Sequence, residues 1–113
     1  MQFHKLTLAA AILVAAPALA HHGWSSYDET KPLTVDGKLT GVTWGNPHGT
    51  AKIVWQKKPW DVVLAPTSRM ESRGLARAML AKPVRLVGYA RRDGTAEMRI
   101  ERVTVGDKTI ELR

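Results

Sequence analysis

The 113-residue chain contains no cysteine, so no disulfide framework can staple it, and its stability must come from packing alone. That excludes an irregular cross-linked scaffold and favours a compact barrel or sandwich. Its longest apolar stretch, residues 6–16, falls short of the roughly 20 residues a membrane-spanning helix needs. Catalytic signatures are missing as well. There is no Gly-x-Ser-x-Gly elbow and no phosphate-cradling glycine loop, and Ser25, Ser26, Ser68 and Ser72 have no recognisable base partner. No pair of carboxylates stands out for glycoside hydrolysis. Hydrolytic chemistry is therefore not expected, and the chain is read as a binding protein rather than an enzyme.

What is present begins with an export signal. Lys5 supplies a small positive region, residues 6–16 an apolar core, and Ala18 and Ala20 fill the two positions where only small side chains fit. Cleavage after Ala16 would leave Pro17 directly behind the cut, whereas cleavage after Ala20 is unobstructed. Neither a twin-arginine pair nor a cysteine behind the cut is present, so lipid anchoring is not indicated. Residues 1–20 are expected to be removed, giving a periplasmic or secreted protein that starts at His21, with no stable membrane insertion.

The remaining 93 residues suffice for one domain with one core. The whole chain carries a formal charge of +7, and the excess is lopsided: residues 21–50 hold two lysines against three acids. A basic surface suits acidic partners or simply a solvated face. Export ranks nucleic acid last among such partners; a periplasmic protein partner or a metal acceptor fits better.

Short-range alternation of polar and apolar residues predicts an all-β domain. Residues 21–32 read as an extended N-terminal arm and residues 33–113 as the domain. Residues 33–44 form a long first strand whose apolar phase shifts at Gly41, where a bulge would re-aim it. Gly45-Asn46-Pro47-His48-Gly49 is a loop. Residues 50–56 and 60–64 give two more strands around a Lys57-Lys58-Pro59 turn. A helix follows, with Ser68 and Glu71 spaced as a capping box, closed or interrupted by Gly74 before a second turn at 76–80. Residues 84–91 and 98–105 are further strands, and 110–112 a short last one. The order β1-β2-β3-α-β4-β5 is the layout of a small OB-like β-barrel, with a small open sandwich fitting the periodicity nearly as well.

The histidines carry the chemistry. Cleavage after Ala20 makes His21 and His22 the first two residues of the mature chain, and His48 is the only other histidine in it. A terminal histidine offers its α-amine and imidazole Nδ1 to one metal ion. A third nitrogen from His48 or His22 would complete a tetragonal set, which copper(II) favours and which also suits nickel and zinc. Asp28 is the nearest carboxylate that could orient a ring or approach the metal axially. The candidate metal ligands are thus His21, His48, His22 and Asp28, with copper as the expected cofactor.

This amine-plus-imidazole arrangement resembles the histidine brace of secreted copper proteins. More broadly, His21-His22-Gly23-Trp24-Ser25-Ser26-Tyr27-Asp28, Trp44-Gly45-Asn46-Pro47-His48 and Val84-Arg85-Leu86-Val87-Gly88 resemble a family of small secreted bacterial proteins of unknown function. That resemblance implies export and an OB-like barrel. A copper-dependent oxidative activity would use the same site, but the short chain leaves little room for a substrate platform. The other reading is a metal-free OB-type binding module that recognises a protein, peptide or acidic polymer through Lys52, Arg85, Arg91, Arg99 and Arg102. Trp55 and Trp60, with Met70, Met79 and Met98, are assigned to the core, and Trp24 and Trp44 to packing beside the histidines.

Overall fold

The computed structural model describes residues 23–113. The predicted signal peptide, His21 and His22 lie outside the described residues. Within them, the alternating stretches become seven strands: β1 (Leu33–Gly37), β2 (Thr40–Thr43), β3 (Thr50–Trp55), β4 (Lys58–Val63), β5 (Val84–Ala90), β6 (Glu97–Val105) and β7 (Lys108–Glu111). A helix, α1 (Thr67–Ser72), and a 3-10 turn over Arg77–Ala81 connect β4 to β5.

The strand order across the sheet is β1-β5-β6-β4-β3-β2, with β7 added beside β6. Every pairing is antiparallel except that of β4 with β6. The two ends of this order, β1 and β2, are separated in the chain by Lys38 and Leu39 alone. The segment predicted as one long bent strand therefore joins both ends of the sheet and curls it into a barrel. The all-β, OB-like expectation holds; the expected first strand is divided into β1 and β2, and the short last strand expected at 110–112 is β7. At the bend, the register shifts between Thr40 and Thr43, and Gly41 takes a left-handed φ of 55°. Only a residue without Cβ adopts that conformation cheaply, so the bulge expected at Gly41 is there.

Inward-facing side chains fill the barrel. Val35, Val62, Leu86, Met98, Ile100 and Val103 are buried, and Met70 of α1 and Leu75 behind it close one opening. The assignment of Met70 and Met98 to the core is borne out, and Met79 packs against it partly buried. Trp55 and Trp60 face each other across the β3–β4 hairpin, edge to face with ring centroids 5.6 Å apart, and pack half-buried against the core. Gly88 sits where β5 shifts register against β6. A Cβ there would stand 2.3 Å from the carbonyl oxygen of Arg99, so the two backbones meet only because the residue is glycine.

Two local expectations are corrected. The hairpin turn is Gln56-Lys57, not Lys57-Lys58-Pro59: both residues have positive φ (51° and 62°), and Trp55 pairs directly with Lys58. This is the primed two-residue geometry that matches strand twist, made here without glycine or asparagine. The Ser68–Glu71 capping box does not form. Pro66 occupies the N-cap, and its carbonyl accepts from the amides of Arg69 and Met70, so Ser68 lies already inside the helix. Glu71 instead accepts from Trp44 Nε1 at 3.0 Å. Gly74, at φ 89°, does end the helix, as expected.

Candidate functional site

The arm that precedes β1 is fastened to the outside of the barrel. Gly23, at φ 66°, turns into a single 3-10 turn over Trp24–Ser26. Tyr27 then bridges to Arg91, the amide of Asp28 donates to the carbonyl of Ala90, and the amide of Arg92 donates to that of Ser26. Backbone hydrogen bonds thus tie the arm to the β5–β6 turn.

Aromatic and charged side chains complete the attachment. Tyr27 is buried and donates to Glu97 at 2.7 Å; burial, then that hydrogen bond, push its phenol up to about 12. Tyr89, buried beside it, donates to Glu101, and burial followed by the same kind of bond raises it too. Trp24 meets Tyr89 edge-on, with centroids 6.0 Å apart, and two guanidinium groups, Arg99 and Arg113, each lie 4.4 Å from its ring centroid. Such cation–π contacts stabilise most when partly desolvated.

Arg99 stands apart from the other basic residues named as a binding face. Lys52 pairs with Asp61, Arg85 with Asp36, Arg91 with Asp93 and Glu97, and Arg102 with Glu111. The Nε–H of Arg99 is buried and meets no acceptor among the described residues. An unmet buried donor costs about 1–3 kcal/mol, more when charged. Burial holds Arg99 below its ordinary value; Tyr27 opposes this, and the positive charges of Arg69 and Arg113 add to it more weakly. Among the described residues, Arg69 donates to the carbonyl of Leu112, and Arg73 to those of Glu111 and Arg113. Arg113 is paired with Glu29 and Glu101.

His48 lies in the loop between β2 and β3, partly buried. The loop is pinned at Gly49, whose amide donates to the carbonyl of Ala65 and whose carbonyl accepts from Leu64. Strand register relates this loop to the arm. Thr50 pairs with Val63, Val63 with Arg99, and Arg99 with Tyr89, so these residues form one row across the sheet. Trp24 is seated on Arg99 and Tyr89, which places its seat two to three strands, roughly 10–14 Å, from Thr50.

Of the four predicted metal ligands, His48 and Asp28 are described and His21 and His22 are not. The Asp28 carboxylate accepts from both the amide and the hydroxyl of Thr30, which lower its pKa. It therefore shapes the local turn at the end of the arm, just before β1. Among the described residues, no three His, Cys, Asp or Glu side chains converge as a metal site. An open pocket of about 490 Å³ lies beside the His48 loop, lined by Trp44, Glu71, Gly74, Leu75, Ala76 and Arg77. Trp44 both walls this pocket and packs on the core, as expected. No helix among the described residues is long and apolar enough to cross a membrane.

Barrel, strapped arm and pinned histidine loop define a small all-β barrel-like protein with no recognisable catalytic constellation among the described residues. The chain belongs to a particular family of such proteins: the model described as "Family of unknown function (DUF6152)" matches residues 10–100. A search of curated proteins finds no match.

The sequence reading missed Arg69 and the special position of Arg99 among its basic residues. Arg99 does lie in the outward phase of β6, between Glu97 and Glu101. Nothing in the local pattern foretold that the arm would fold back and lay Trp24 on it.

Proposed function

We propose that this protein is exported and binds copper(II) at its mature N-terminus, with the α-amine and imidazole of His21 and the ring of His48 as ligands. His22 is the alternative source of the third nitrogen. The activity is capture and delivery or buffering of the metal, not turnover. The observation that carries this reading is the strand row that sets the seat of Trp24 two to three strands from the first residue of β3, with His48 just before it. Two residues, His22 and Gly23, separate Trp24 from His21, and these three steps of chain reach at most about 11 Å. Chain length and register are therefore compatible with one metal shared by His21 and His48. The backbone ties at Tyr27 and Asp28 also support it, because a fastened arm lowers the entropy lost on chelation.

The metal-free alternative, a broad basic face, loses support from the ion pairs. Four of its five named cations are already neutralised by a neighbouring acid.

Copper(II) titration of the processed protein, beside a version with one extra residue before His21, tests the proposal. The extension converts the chelating amine into an amide. It should weaken binding by more than about 100-fold, since loss of outer-shell partners alone costs 10–100-fold. Equal binding by the two forms would reject the site.

A further inference from the structure

We propose that the tip of the β3–β4 hairpin, residues 53–60, docks on the surface of an anionic lipid bilayer. Strand register makes this tip a projection. β2 pairs with β3 only between Thr40 with Lys52 and Thr43 with Thr50, and β6 pairs with β4 only over Asp61, Val62 and Val63. Beyond Lys52 and Asp61 the two strands of the hairpin therefore have only each other as ladder partners. Both faces of the projection are apolar. Val54, at 69% exposure, is the one large hydrophobic side chain exposed among the described residues, and it stands opposite the exposed Pro59. On the other face lies the half-buried, edge-to-face pair of Trp55 and Trp60. The end is positively charged. Lys57 and Lys58 enter no ion pair among the described residues, and the chain holds no acid between Asp36 and Asp61. Lys58 lies 5.4 Å from the Trp60 ring centroid.

This combination selects the occupant. Tryptophan is favoured where an apolar region meets water, and lysine lays its stem along apolar surface while its ammonium reaches a lipid phosphate. A soluble polyanion would engage the lysines and leave Val54 and Pro59 in water. A second copy of the chain fits poorly, since Pro59 has no N–H to offer another strand and the lysines of two copies would repel. The hairpin between β6 and β7 lacks this character, because Asp107 places an acid at its turn, beside Lys108. Two lysines and a small apolar patch give a shallow, reversible attachment. None of these residues is a proposed copper ligand, so either proposal can fail without the other.

Co-sedimentation of the processed protein with lipid vesicles, at low ionic strength and with a metal chelator present, tests the docking. Vesicles of mixed phosphatidylcholine and phosphatidylglycerol should bind the protein, and vesicles of phosphatidylcholine alone should bind it about tenfold more weakly or worse. A lysine close to an anionic surface contributes about fivefold, so Lys57→Gln with Lys58→Gln should weaken binding about 25-fold. Val54→Ser, at an exposed position that the fold does not depend on, should weaken it several-fold by removing apolar contact. Lys108→Gln, on the other hairpin, should change it less than about twofold. No binding to the mixed vesicles, equal binding to both vesicle types, or an unchanged affinity in the lysine double variant would each overturn the proposal. So would an unchanged affinity in Val54→Ser, which would assign the tip to soluble polyanions instead.

Discussion

Single residues carry the arm's attachment, and two of them report on it by titration. The chain contains just two tyrosines, and both Tyr27 and Tyr89 are held above the ordinary phenol value of 10.0. A raised pKa in the folded state means that the unfolded chain releases the proton first. The stabilisation is thus complete below pH 10 and lost as pH rises toward about 12. Absorbance at 295 nm should show little phenolate at pH 10.5 while the protein is folded, and Tyr27→Phe should flatten the fall in stability over that window. Free-tyrosine titration at neutral salt would contradict the burial of both rings. Gly88 is the other decisive single residue. Gly88→Ala would drive a methyl group into the Arg99 carbonyl and against Ile100, and should cost about 3 kcal/mol or more, the upper end for overpacking. Urea unfolding would check this.

Elements were legible wherever the period was clean. The alternation in 50–55 and 98–105 announced β3 and β6, and the phase slip from Leu39 to Val42 announced the bend at Gly41. Turn chemistry was less legible, because Gln56-Lys57 adopts a conformation that its residue types disfavour. Lys57-Lys58-Pro59 looked the stronger turn only because proline is a frequent punctuator. The mismatch yields a prediction: Gln56→Asn with Lys57→Gly should stabilise the domain by about 0.5–1 kcal/mol, since a left-handed non-glycine residue costs about 1–2 kcal/mol and the greater freedom of glycine in the unfolded chain offsets part of the gain. Thermal unfolding should rise by roughly 2–8 °C for a domain of this size. A lowered midpoint would show that the side chains, and not the turn backbone, govern this hairpin. The capping box failed for a similar reason. Pro66 starts the helix two positions early, and Glu71 finds the indole of Trp44, a partner 27 residues away that local spacing cannot reveal.

At the scale of the whole molecule, the barrel follows from one covalent fact: the two ends of the sheet are halves of one bent segment. That much could be read from the sequence. The packing of the arm over β5 and β6 could not, because it depends on contacts such as Trp24 with Arg99, 75 positions apart, that no periodicity encodes. The same folding back is what relates the start of the described chain to the His48 loop, and so bears on the proposed metal site. The most direct measurement is the electron paramagnetic resonance spectrum of the processed protein loaded with one equivalent of copper(II), compared with that of His48→Ala. A tetragonal spectrum with coupling to three nitrogens, losing one of them in His48→Ala, is the predicted result. Identical spectra from the two proteins, or copper held by oxygen ligands alone, would contradict a site shared between His21 and His48.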